Sequence, residues 1–310
     1  MSTLLITHPS FLAHNTGPHH PERADRLRAV QAALAAEEFS GLKRAEAPLA
    51  TPQELAHVHP AEYVRAILGI RPAEGELAMI DGDTVMSAGS AEATARAAGA
   101  LIAGVDAVMS GSASNAFAAV RPPGHHATPD TPGGFCLFNS VAIGARHAQA
   151  KYGVGRVAIL DFDVHHGQGT QAVVEADASL FYGSTHQYPL YPGTGSARER
   201  GMHGNVVNVP LAPRSGSEAF RAAWGERILP DLDRFQPELV IVSAGFDAHR
   251  RDPLAQLQLE TEDFTWISDQ LLAIAQQHAK GRLVSALEGG YDLDALADSA
   301  AAHVRALMKA

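Results

Sequence analysis

The chain has 310 residues, 34 acidic against 24 basic side chains, a formal net charge of −10 and one cysteine. A single cysteine excludes an internal disulfide framework, and the acidic balance argues against a surface that tracks nucleic-acid phosphates. No run of about 18 apolar residues predicts a membrane span, and Met1–Pro9 carries no basic n-region or cleavage pattern, so a cytoplasmic protein without a secretory leader is expected.

In chain order, apolar runs alternate with alanine-rich helical patterns. Strands are predicted at Thr3–Thr7, Ala116–Val120, Arg156–Phe162, Leu180–Gly183, Val206–Val209, Leu239–Ala244 and Arg282–Leu287. Helices are predicted at Pro21–Phe39, Pro60–Leu68, Ser90–Met109, Asn139–Tyr152, Gly216–Phe235, Thr261–His278 and Leu293–Met308. Pro60 suits a first helical residue, and Ser215-Gly216-Ser217 offers an N-cap before Glu218. Gly69–Gly89 reads as a loop-rich surface excursion. Short Val/Ile-rich runs separated by helices indicate a parallel sheet buried on both faces. With no repeat and no linker, residues 1–310 read as one α/β domain.

In an open α/β sheet, ligands bind beyond the carboxyl ends of the strands. The unusual residues follow such ends: Arg121–His126, Asp161–Gly169, Ser243–Asp247 and Glu288–Tyr291. Sixteen histidines include the adjacent pairs His19–His20, His125–His126 and His165–His166. Asp163 and His165, two apart at a strand end, are expected to point to one side. Asp247 from another strand supplies a third ligand. Two carboxylates and one imidazole with open positions suit a catalytic ion, Zn²⁺, Fe²⁺ or Mn²⁺. Asp161 lies beside Asp163, and two close carboxylates need a cation or a proton between them. It orients a histidine, holds an alkali ion, or sits in a buried ion pair.

Pro122-Pro123-Gly124 sets a rigid approach to His125 and His126. A turn there lets both rings face a pocket, where one neutral imidazole takes a proton from water. Tyr291, after Gly289-Gly290, is placed to donate to a developing oxyanion. Gly133-Gly134-Phe135 reads as a channel lining. No nucleophile elbow, phosphate loop or dinucleotide fingerprint is present. The residues alone therefore read as metal-assisted hydrolysis of an amide or ester.

The segments His20-Pro21-Glu22-Arg23, Arg121–Ala127, Gly133–Cys136, Asp161–Gly169, Tyr191–Gly195, Ser243–Asp247 and Glu288–Tyr291 span nearly the whole chain. In them the sequence resembles the zinc-dependent histone deacetylase superfamily, including its bacterial deacetylase-like and acetylpolyamine amidohydrolase members. The resemblance implies the arginase/deacetylase fold, a central eight-stranded parallel sheet flanked by helices. It implies Asp163, His165 and Asp247 as ligands of one Zn²⁺ per chain, with Fe²⁺ the alternative. It makes His126 the general base, His125 an assisting electrostatic catalyst or acid, and Tyr291 the group that polarises the acyl carbonyl. Asp161 would support His125 and, with Asp163, His165, Ser184 and Thr185, hold a structural K⁺. Gly134, Phe135, Tyr191 and Leu254 would line the substrate tunnel, Tyr191 standing where the family commonly has phenylalanine. Gln168 replaces the class I aspartate two residues after His166, as in class II, which implies a lower pKa for His126.

The implied substrate is an N-acyl-lysine, with a small acylated amine such as an acetylpolyamine as the alternative. Polyamine-selective relatives carry a glutamate at the position of Leu254, although Glu74, Glu76 or Asp81 could supply that charge. A ureohydrolase would need a second aspartate that Asp247-Ala248-His249-Arg250 lacks, and an inactive acyl-ligand sensor would need a lost ligand or base. No nucleic-acid or membrane partner is expected, and a homo-oligomer is compatible with the sequence.

Overall fold

Runs of aliphatic and β-branched residues set the sheet. The computed structural model describes residues 2–310. Its strands are β1 (Thr3–Thr7), β2 (Lys43–Glu46), β3 (Ala78–Met79), β4 (Val85–Met86), β5 (Asn115–Ala118), β6 (Val157–Asp161), β7 (Leu180–Gln187), β8 (Val206–Leu211), β9 (Leu239–Ala244) and β10 (Leu283–Leu287). Eight of them form one parallel sheet in the order β2-β1-β5-β10-β9-β6-β7-β8. The expected single domain with an eight-stranded parallel sheet is what the chain forms. β5, β6, β7, β9 and β10 are buried at every residue, as strands covered on both faces must be. Two helix pairs cover them, Ser90–Ser110 with Ser140–Tyr152 and Thr261–His278 with Leu293–Lys309. Asn139 caps the second helix, its side-chain oxygen accepting from the Ala142 N–H at 3.0 Å. No helix among the described residues is long and apolar enough to cross a membrane.

Several local expectations are corrected. β2, Lys-Arg-Ala-Glu, has no apolar pattern; it is a charged edge strand paired only with β1, the composition that blunts a sheet edge. The helix expected over Pro21–Phe39 runs only over Ala24–Ala33, because Arg23 is still extended, and a 3₁₀ turn follows at Glu37–Phe39. Pro60 is the N-cap of its helix rather than its first residue. Gly216 caps the next predicted helix, while Ser217 Oγ donates to Asp263 at 2.6 Å and makes no cap bond. That helix, expected over Gly216–Phe235, contains a wide π turn at Trp224–Ile228 just before Pro230, which has no N–H to give a preceding carbonyl. Gln168–Val174 forms a short helix where none was expected. β7 runs on to Gln187, which puts Ser184 and Thr185 inside the strand. Gly69–Gly89 holds the antiparallel ribbon of β3 and β4.

The core contains titratable groups. His303 is buried, with Nδ1 2.6 Å from Ser268 Oγ and Nε2 2.9 Å from Ser285 Oγ. The rings of Phe117, Phe162 and Phe246 lie 5.6–6.1 Å away. Burial pushes its pKa down to about 3, and that of His59 down to about 4. A depressed folded-state pKa means that the unfolded chain takes up protons first. The stabilisation is therefore complete above the unfolded value near 6.5 and fades as pH falls toward 3. Each such histidine adds a slope of about 1.4 kcal/mol per pH unit within that window. The urea midpoint should fall between pH 7 and 5, and His303→Gln should reduce the fall; an unchanged slope in the variant would contradict the assignment.

Candidate active site

The strands whose ends carry the polar motifs, β5, β10, β9 and β6, are consecutive in the middle of the sheet. All four motifs consequently meet at one carboxyl-end rim. Beyond β6 the chain leaves the sheet at Phe162, so strand alternation does not aim Asp163 and His165. A tight turn does: Asp163 Oδ1 accepts the His165 N–H at 2.9 Å, and Asp161 Oδ1 accepts the Asp163 N–H at 3.2 Å. Asp247 arrives after β9, and its Oδ1 accepts the Val164 N–H at 2.8 Å.

One ligand atom from each of Asp163, His165 and Asp247 lies within 4.8 Å of the others. His165 Nδ1 is 3.1 Å from both Asp163 Oδ1 and Asp247 Oδ2. Against the opposing effect of burial, the two carboxylates hold this imidazole up to about 10. The trio thus favours positive charge at its centre. A Cβ at Gly245 would collide with Asp163 Oδ2, and one at Gly289 with Asp247 Oδ2, so the backbone is cut away where the carboxylates converge. Gly289 N–H also donates to Asp163 Oδ2 at 2.8 Å. A mixed oxygen and nitrogen donor set, buried and built on glycines, fits a divalent ion such as Zn²⁺.

Beside the trio, the His125 and His126 rings lie 4.0 Å apart and both line the same pocket. His125 Nδ1 is 3.0 Å from Asp161 Oδ2, which also accepts from the Tyr182 hydroxyl at 3.0 Å. Burial alone would lower the His125 pKa; the carboxylates of Asp163 and Asp161 outweigh it and raise it well above the usual value. His126 goes the other way. Burial, the neighbouring His125 charge and His165 lower it well below the ordinary range. His126 Nδ1 is 2.7 Å from Gln168 Oε1, and Gln168 Nε2 donates to the His126 carbonyl at 3.2 Å. An amide oxygen can only accept, so Nδ1 carries the proton and Nε2 is left free. Burial and the His125 charge, not the Gln168 contact, lower the pKa of His126, and the Gln168 hydrogen bond acts in the opposite direction.

A cavity of about 230 Å³ reaches these groups. Gly134, Phe135, Tyr191 and Leu254 line it, as expected, together with Asp83, Pro123, Leu190, Gly289 and Tyr291. Phe135 meets Tyr291 edge-on at 5.9 Å, and Tyr191 meets His126 edge-on at 5.0 Å. Ser184 pairs in register with Asp161, while the Ser184 and Thr185 hydroxyls are engaged by His186 and Trp224.

Several positioning groups were not read from the sequence. The buried Glu288 carboxylate accepts Gly124 N–H at 2.6 Å and His125 N–H at 3.2 Å, tying the histidine turn to β10. Asp252 accepts Leu254 N–H at 2.9 Å and Tyr291 N–H at 2.7 Å, joining the rim to the tyrosine loop. Arg26 donates to the carbonyls of Glu288 and Gly290 and lies 4.7 Å over the Tyr291 ring. Glu22, from the His-Pro-Glu-Arg motif, holds Arg26 at 3.2 Å and Arg121 at 2.8 Å. Glu74 and Glu76 line a separate cavity with Arg23 and Arg28, so Asp83 is the acid in the pocket lining.

The histone deacetylase domain family matches residues 20–307. The chain is 40% identical over 327 residues to Histone deacetylase 14, chloroplastic, of Arabidopsis thaliana, covering 98% of this chain and 76% of that one. It is 39% identical over 287 residues to the Histone deacetylase-like amidohydrolase of Pseudomonas aeruginosa, covering 91% and 74%. The crystal structure of the HDA15 HD domain superposes with a TM-score of 0.93 at 36% identity, over 99% of this chain and 88% of that one. With a matching fold, family motifs along its length and relatives across nearly all of it, the chain belongs to the histone deacetylase family, a family of deacetylases and amidohydrolases.

Proposed function

We propose that this protein is a metal-dependent amide hydrolase of the cytoplasm that removes acetyl or other short acyl groups from the side chain of N-acyl-lysine. The observation that carries the reading is the meeting, at one pocket, of a cation-binding trio, an imidazole with a free Nε2 and a tyrosine. Asp163, His165 and Asp247 would hold one Zn²⁺, with Fe²⁺ the alternative, and Asp161, Asp163 and His165 with Ser184 and Thr185 of β7 would hold K⁺. A divalent ion supplies Lewis-acid polarisation of the acyl carbonyl and acidifies water. The chain's own residues do the rest. His126 Nε2 takes a proton from the attacking water, whose oxygen forms the new bond to the acyl carbon. The Tyr291 hydroxyl donates to the carbonyl oxygen as negative charge builds there. As the C–N bond breaks, the histidine pair returns that proton to the leaving amine, and the carboxylic acid gives its remaining proton to solvent, leaving a carboxylate and a free amine. Phe135 and Tyr191 hold the alkyl chain and exclude water from it. Chelation of the metal should abolish turnover, and undiminished turnover in chelator would rule the reading out.

An acylated polyamine is the second reading, and Asp83 in the pocket lining is what favours it. Leu254 argues for the lysine chain, since it offers only an apolar contact at the rim. The ratio of kcat/KM for an acetyl-lysine peptide over N8-acetylspermidine is expected to exceed one, and Leu254→Glu should move it toward the polyamine. A ratio clearly below one reverses the substrate assignment and leaves His126 and the metal ligands untouched.

A further inference from the structure

The loop between Pro129 and Asn139 carries Gly134 and Phe135 into the wall of the catalytic pocket. Its tip is a tight bridge, with Gly133 N–H donating to the Cys136 carbonyl at 3.0 Å and Cys136 N–H to the Gly133 carbonyl at 2.9 Å. Within that bridge Phe135 takes a φ of 69°, a left-handed conformation that a residue other than glycine holds only where its surroundings impose it. Phe135 N–H donates to Thr84 Oγ1 at 3.1 Å, which fixes the tip from one side. The loop's two ends must be fixed as well if the wall is to keep its place.

One buried side chain ties both ends. His59 lies just before the helix Ala61–Gly69 and does not line the pocket. Asn139 N–H donates to its Nε2 at 3.0 Å, and its Nδ1 is 2.9 Å from the Pro129 carbonyl. A carbonyl only accepts, so Nδ1 carries the proton and the neutral ring spans the base of the loop. The ring stacks on Tyr63 at 5.1 Å and meets Phe138 at 5.2 Å, and the Tyr63 hydroxyl donates to the Leu137 carbonyl at 2.6 Å. The far anchor is firm in turn, because the Asn139 side chain caps the helix Ser140–Tyr152 and donates to the Ala127 carbonyl at 3.2 Å.

We infer that His59 is a positioning residue for the hydrolysis, a clasp that closes the base of this loop and so holds the Phe135 wall against the alkyl chain of the substrate. The inference rests on the acyl-lysine reading of the pocket. Neither bond of the clasp reaches the reacting groups: Asp163, His165 and Asp247 stand on other segments, and His126 is anchored by Gln168. Opening the clasp loosens a wall that binds the ground state and the transition state alike, and a loss of that kind raises KM while leaving kcat in place. Uncovering about two methylene groups of the chain corresponds to about tenfold in affinity.

The test uses the zinc-loaded full chain and a capped acetyl-lysine. His59→Phe keeps an aromatic ring in the stack and removes both hydrogen bonds; it should raise KM about tenfold with kcat within about threefold of wild type. His59→Gln keeps an acceptor for Asn139 N–H alone and should raise KM about threefold. In a Phe135→Ala background, where the wall is already gone, His59→Phe should add less than about twofold. Amide hydrogen exchange should quicken at Gly133 and Cys136 and stay unchanged in β6, a pattern that general loosening of the fold would not give. An unchanged KM in both variants, a fall in kcat at constant KM, effects that multiply with those of Phe135→Ala, or exchange that quickens throughout β6 each overturns the inference. If His59→Phe does not fold, His59→Gln decides on the same measures. If the wild type hydrolyses no acyl-lysine, the exchange pattern alone decides the clasp, and the hydrolase reading falls separately.

Discussion

Replacing Asp247 by alanine should abolish both tight zinc binding and turnover. Asp247 is the one proposed ligand brought by β9; the other two share the turn after β6. Without its Oδ2, 3.1 Å from His165 Nδ1, the centre keeps one carboxylate and one imidazole. Loss of an outer partner of a ligand typically costs about 10–100-fold in affinity or activity, and loss of the ligand itself should exceed that. The fold should survive. Oδ1 makes a hydrogen bond to Val164 N–H, a contact of the kind worth about 1 kcal/mol, and the surrounding strands are buried independently of it. The measurements are zinc content after dialysis, melting temperature and turnover. A fully active, zinc-replete Asp247→Ala protein would refute the assignment. An apo protein with near-native melting temperature and no turnover is the expected outcome.

The parts of the fold visible in the sequence are those whose patterns are local. β6, β9 and β10 are short aliphatic runs flanked by polar residues, and their apolar content is what buries them. β2 was invisible because an edge strand of Lys-Arg-Ala-Glu is chosen for solubility, not for burial. The short helix Gln168–Val174 was hidden by the glycines of the motif it follows. The same division runs through the site. Asp163, His165, Asp247, His126 and Tyr291 sit in motifs of their own, and a resemblance could name them. Glu288, Asp252 and Arg26 act by accepting from or donating to main-chain groups far away in sequence, as in the Arg26 contact to Gly290 across 264 positions. No local periodicity encodes such a pairing. The loop Gly69–Gly89 lies at the surface as expected, but the placing of its acids is not local. Its composition says surface, but only its docking against the Thr16–Pro21 loop brings Asp83, and not Glu74 or Glu76, into the pocket lining.

Tyr291→Phe should lower kcat by about 10²–10³, the usual cost of one oxyanion donor, and His126→Ala should lower it further. Each substitution leaves the supports in place. The Tyr291 ring is held by Arg26 at 4.7 Å and Phe135 at 5.9 Å, and its N–H by Asp252; phenylalanine keeps all three. Removing the hydroxyl therefore deletes a donor without moving the wall, and KM should change far less than kcat, since the bond it makes strengthens only as charge builds on the carbonyl oxygen. His126 differs in kind. In the proposed mechanism its Nε2 takes the water proton, so alanine would remove a proton acceptor that neither His125 nor Gln168 can replace: the His125 ring favours the protonated state beside Asp161, and the Gln168 amide has no basic atom. Single-turnover kinetics with the zinc-loaded variants measure the chemical step directly. If Tyr291→Phe loses less than threefold there, the hydroxyl is not the oxyanion donor, and its place at the end of the tunnel is one of packing.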